Sequence, residues 1–130
     1  MPRTRSLPNA SDENFKREKN GIETACRALI DDVFKPRFVV RPDPEFNYAV
    51  DIRGGWHGRS FRFVQRYRSG TKRAEQFEFD APFARIEHVG RNRFNVWWFR
   101  HTQKWWLLHR GVSLAEAIEL METNGVLHPH

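Results

Sequence analysis

The chain has 130 residues, enough for one compact domain and too few for two ordinary ones. Hydrophobic residues make up 39% and charged residues 29%, and the aromatic set of 11 Phe, 5 Trp and 2 Tyr can fill a core, which excludes a wholly disordered chain. No run approaches the roughly 18 apolar residues of a membrane-spanning helix, and the first ten residues lack the apolar stretch of a secretory signal, so no membrane is expected and the expected location is cytoplasmic.

The formal net charge of +6 is unevenly placed. Residues 1–58 carry 10 basic and 9 acidic groups and residues 75–130 carry 6 and 7, so the flanks cancel. The whole excess falls in 59–74, where Arg59, Arg62, Arg66, Arg68, Lys72 and Arg73 occur with no Asp or Glu. Such a window suits the docking of a polyanion or an acidic protein surface; it also suits a strand edge kept from aggregating by charge.

Residues 1–10, with Pro2 and Pro8 among Arg3 and Arg5, lack an apolar period and read as a flexible basic arm. A long helix is predicted from Ser11 or Asp12, with Phe15, Ile22, Cys26, Leu29 and Val33 on one face and Asp12 and Glu13 in the first turn. Pro36 is expected to end it near Phe34. Period two then begins: Phe46, Tyr48, Val50 and Ile52 alternate with polar or small residues. The stretch 54–58 reads as a loop. A second strand puts Phe61, Phe63 and Tyr67 on one face and Arg62, Arg66 and Arg68 on the other. Joining the apolar faces predicts Ile52 opposite Phe61, Val50 opposite Phe63 and Asp51 opposite Arg62. Residues 69–71 read as a turn, Phe77 and Phe79 as a short strand, and Pro82 as its boundary.

The remainder reads as a meander of strands 83–89, 93–100 and 104–110, with turns at Gly90-Arg91-Asn92 and His101-Thr102-Gln103. Val96-Trp97-Trp98-Phe99 and Trp105-Trp106-Leu107-Leu108 are apolar on both faces, so these strands are expected to be central or covered on the second face. Ser113 and Glu116 form a capping box, Leu114, Ala117, Ile118 and Met121 a buried stripe, and Asn124-Gly125 the stop of a short C-terminal helix. The chain is thus expected to be a single α+β domain over 11–127, a mainly antiparallel twisted sheet with a long N-terminal and a short C-terminal helix, followed by a disordered tail at 128–130.

The stretches Ala84-Arg85-Ile86-Glu87-His88-Val89, Val96-Trp97-Trp98-Phe99-Arg100 and Lys104-Trp105, followed by a Ser-Leu helix, resemble an uncharacterised bacterial family, domain of unknown function 3024. The likeness covers roughly residues 45 to 125. It implies the fold and supplies no activity to transfer.

Catalysis requires a nucleophile with a base and an orienting group, or a set of metal ligands, and neither pattern is visible, so no enzyme, cofactor or metal site is expected. The single cysteine, Cys26, cannot form an internal disulfide or a cysteine-based zinc site and falls on the apolar helix stripe. His88 and His109 read as structural, and His128 and His130 as a tail that does not complete a metal site. Asp43, Glu45 and Asp51 lie near the arginine strand, without the acidic-x-Lys pattern of a metal-dependent nuclease. The expected function is a nucleic-acid-binding module whose surface is Arg59, Arg62, Arg66, Arg68, Lys72 and Arg73, with Trp56 as the stacking ring. The alternative is a protein-interaction or self-association module using outward members of the pairs Trp97-Trp98 and Trp105-Trp106.

Overall fold

The computed structural model describes residues 10–39, 48–68 and 78–129. Helix α1 spans Ala10–Ala28 and runs into a π-helical turn, Leu29–Phe34, and a short α2, Lys35–Phe38. The helical path therefore continues past the expected stop at Phe34. The reason lies in the π turn, where the Lys35 N–H donates to the Ile30 carbonyl five residues back. A proline in a helix clashes with the carbonyl four residues earlier, and the wider turn just before Pro36 relieves that crowding. It also buries Leu29, Ile30 and Phe34 together.

Five strands follow: β1 Tyr48–His57, β2 Ser60–Arg68, β3 Glu78–Gly90, β4 Arg93–Phe99 and β5 Trp105–Val112. They form one antiparallel sheet in chain order. Helix α3, Leu114–Thr123, and a 3-10 turn, Gly125–Leu127, complete the α+β fold. The capping box is present, with the Ser113 hydroxyl accepting from the Glu116 N–H and the Glu116 side chain accepting in return.

The β1–β2 register differs from the expected one. Ile52 faces Gln65, Asp51 faces Arg66 and Trp56 faces Phe61. The glycines at 54 and 55 are strand residues rather than a loop, and Gly58, at φ 58°, makes the tight turn with Arg59. Gly54 is required by packing: a Cβ there would overlap the Phe61 ring and the Ile30 side chain. An irregularity between Ala49 and Asp51 also turns small Ala49 inward, 7% exposed, and displaces Val50 from the register expected for it.

Strand β3 is continuous where a break at Pro82 was expected. Phe63 pairs with Ala84 and Val64 with Pro82, so Phe83 is the extra residue of a bulge. Bulges are among the few places where a sheet tolerates a missing N–H, and this one sends Phe83 into the core at 0% exposure. Phe46, Phe77 and the turn expected at 69–71 lie outside the described residues, as does the arm up to residue 9.

The helices cover one sheet face. Ile52, Phe61, Phe63, Ile86, Phe94 and Val96 point into the core they enclose, with Ile22, Cys26, Phe34, Ala117 and Met121 supplied from the helical side. Phe34 lies 5.7 Å from Phe83 and 6.0 Å from Phe63, both edge to face. His88 is buried and bonds through Nε2 to the Glu18 carboxylate at 2.8 Å, which also accepts the Asn92 N–H. Asn92 takes φ 46° at the β3–β4 turn, and its Oδ1 accepts the Leu114 N–H at the start of α3. His128, expected in a tail, rests on Phe34 and Phe38, with Nε2 2.9 Å from the Glu122 carbonyl. His130 is outside the described residues. Of the two strands expected to be central or covered on the second face, β4 is interior to the sheet and β5 is an edge, so the central placement holds for β4 alone.

Replacing Gly54 by Ala should lower stability by about 1–3 kcal/mol through overpacking, read as a reduced urea midpoint with an unchanged slope. Cys26 is fully buried, and burial pushes its thiol pKa up to about 12. A thiol reagent should therefore label the native protein only at the rate of its opening, and labelling in urea should be complete.

Candidate nucleic-acid interface

Alternation along β2 sends Arg62, Arg66 and Arg68 to the sheet face opposite the helices, as the sequence predicts. Their surroundings differ. Arg66 faces Asp80 on β3, donating from Nε to Glu78 at 2.8 Å and from Nη1 to Asp80 at 2.9 Å. Arg68 reaches the same Glu78 at 2.6 Å. These bonds hold the Glu78 carboxyl below its ordinary pKa and raise both guanidinium pKa values. Arg59 pairs with Asp12 of α1. Lys72 and Arg73 lie outside the described residues.

Trp56 is on the helix-facing side, not beside the arginines. Its ring meets Phe15 and Phe61 edge to face, and its Nε1–H donates to Glu23 at 2.9 Å. Asp51, expected to pair with Arg62, instead accepts from Arg53 and from the Ile52 N–H and lies 3.7 Å from Lys35. Burial pushes the Asp51 carboxyl pKa up, but these bonds and the two nearby cations outweigh it and hold the pKa down.

Arg62 has a different neighbour. It stands directly opposite Arg85 of β3, and Arg85 opposite Trp97 of β4. The Arg85 guanidinium lies 4.6 Å from the Trp97 ring centre and 4.8 Å from that of Trp105, while Arg62 lies 5.5 Å from Trp105. Phe99 meets Trp105 edge to face at 5.0 Å. Glu87 accepts the Trp97 Nε1–H at 3.0 Å and fixes that ring. Burial lowers the Arg85 pKa; Glu87 opposes this and Arg62 adds to it. The Nε atoms of Arg62 and Arg85 are both buried, and among the described residues neither has a hydrogen-bond acceptor. Among the described residues neither has a carboxylate within ion-pair distance. No described helix lies over this face.

Sequence reasoning placed Arg62 here but not Arg85, which reads as one cation in a charge-balanced strand. The signal was its outward position between core residues Ala84 and Ile86, usable only once the β2–β3 register is known. A related stack occupies the opposite face near the β4–β5 connection, where Arg100 lies 5.2 Å from Trp98 and 4.9 Å from Trp106. Trp106 is 46% exposed.

A cavity of about 300 Å³ opens between the π turn and β1, lined in part by Arg27, Lys35, Arg53, Asp31 and Asp51. Each of its cations is already paired with a carboxylate. Among the described residues no three His, Cys, Asp or Glu side chains gather as metal ligands, and no helix is long and apolar enough to cross a membrane.

Fold and surface together define a small α+β domain whose antiparallel sheet is covered by helices on one face and carries stacked guanidinium and indole groups on the other. The family model described as Domain of unknown function (DUF3024) matches residues 14–129, and the chain belongs to that family. No curated protein and no solved structure matches it.

The Glu78 contribution to stability has a definite sign. A carboxyl whose folded pKa is depressed stabilises above its unfolded pKa and loses that contribution as pH falls through the folded value. Glu78→Gln should therefore flatten the loss of thermal stability below about pH 5, measured as melting temperature against pH beside the unaltered protein.

Proposed function

We propose that this domain binds nucleic acid through the sheet face that bears Arg62, Arg85, Trp97 and Trp105. The observation that carries this reading is the pair Arg62–Arg85, two like charges directly opposed on neighbouring strands without an ion-paired carboxylate among the described residues. Opposed like charges destabilise a sheet, and a buried donor without an acceptor costs about 1–3 kcal/mol, more when charged. A cation over an indole returns about 0.5–2 kcal/mol, and Glu87 attracts Arg85 by more than Arg62 repels it; what stands is the pair of unmatched Nε donors and the charge that Arg62 meets in Arg85. A phosphate oxygen near the two guanidinium groups offsets both terms, with charge-assisted hydrogen bonds.

This reading narrows the basic window expected from the sequence. Arg66 and Arg68 are neutralised by Glu78 and Asp80, and Arg59 by Asp12, so they contribute less to an external anion than their number suggests. Arg85 joins the surface, and Trp97 and Trp105 take the stacking role expected of Trp56.

The test is titration of labelled oligonucleotides at several salt concentrations. Binding should weaken steeply with salt, and Arg62→Ala with Arg85→Ala should reduce the slope of log affinity against log salt by about 0.7–0.9 per removed contact. Arg66→Ala should leave affinity and slope close to those of the unaltered protein. No binding at low salt would sink the reading.

A second reading, self-association through exposed tryptophan, is favoured by Trp106 beside Arg100. Trp and Arg are enriched at the centres of protein interfaces. It expects a solution mass above the 15.5 kDa of one chain, falling to one chain in Trp106→Ala.

A further inference from the structure

We infer that the ligand of this face is single-stranded, with phosphates over β2 and β3 and bases over β4 and β5; the inference rests on the nucleic-acid reading above. Its basis is the division of the face. Arg62 and Arg85 root on β2 and β3, whereas Trp97, Phe99 and Trp105 root on β4 and β5, with Arg85 opposite Trp97 and Phe99 opposite Trp105 across the strand pairs. The two cations thus arise from one half and the aromatic rings from the other, and the guanidinium groups reach across onto the inner edge of the ring cluster.

The rings are held in place. Glu87 accepts the Trp97 Nε1–H, and Phe99 braces Trp105 at 5.0 Å, so a base meets preset surfaces and little side-chain freedom is lost on contact. An unpaired strand offers this arrangement its two halves, a charged backbone on one side and stackable bases on the other. A duplex turns its bases inward and presents phosphates, leaving the aromatic half idle. Reading a duplex in its major groove takes an inserted helix or two-stranded ribbon, and none projects from this face among the described residues.

The experiment compares three ligands at one low salt concentration: a single-stranded oligonucleotide, the duplex of the same sequence, and inorganic polyphosphate. The single strand should bind at least about tenfold more tightly than either of the others. Trp105→Ala should cost the single strand about fivefold or more and change polyphosphate binding little, while Trp105→Phe should restore most of the loss. Tryptophan emission of the unaltered protein, which needs no variant to fold, should be quenched by the single strand and not by polyphosphate. Equal affinity for single strand and duplex would overturn this inference and leave nucleic-acid binding in place. Equal loss of all three ligands in Trp105→Ala would assign the ring to holding the arginines alone and would also overturn it. Failure of every ligand to bind would instead overturn the underlying reading.

Discussion

The organisation of this domain depends on a sheet with two faces, of which the described helices cover one. The helical layer buries Phe61, Phe63, Phe83 and Phe94, and that burial is the main source of stability. The other face carries large rings on β4 and β5, and no described helix covers them. Stacked guanidinium groups solve the resulting problem of exposed apolar area: each covers part of an indole while its charged edge remains able to meet water or an anion. Arginine suits this position better than lysine because its cation is planar and weakly hydrated. The Nε atoms of Arg62 and Arg85 show the cost of the arrangement, since stacking desolvates them without an acceptor among the described residues.

The covered side is tied together by a short polar relay. Glu18 of α1 receives both His88 from the middle of the sheet and the Asn92 N–H from the turn, and Asn92 in turn caps the first N–H of α3. Each element thereby satisfies a polar group that burial or a helix start would leave unmatched. One carboxylate holds the long helix to the turn that positions the other helix.

Much of the architecture was legible in the sequence. Period-two patterning located the strands, period 3.6 located the helices, and Ser113 with Glu116 marked the start of α3. The failures occurred where a local signal met a stronger tertiary demand. Gly54 and Gly55 resemble a loop in isolation, yet Gly54 is glycine because Phe61 and Ile30 occupy the space of a side chain. Pro36 and Pro82 resemble boundaries, but a π turn accommodates the first and a bulge the second. The misread loop shifted the β1–β2 register and with it the partner assigned to Asp51. The cluster was half legible for a similar reason: the strand pattern exposes Arg62, whereas the opposition of Arg62 and Arg85, and the pairing of Arg66 with Glu78, exist only across strands.

The order of the sheet has a bearing on how the molecule assembles. Every strand pairs with its neighbours in sequence, so each ladder closes a short loop and can zip from an adjoining hairpin at small entropic expense. The long helix has the opposite situation: its Glu18 partner, His88, is 70 residues away. The meander can therefore take shape before that helix finds its seat, and until then the phenylalanine-rich underside of the sheet lies bare. Docking of α1 is thus what closes off a surface on which partly folded chains could aggregate.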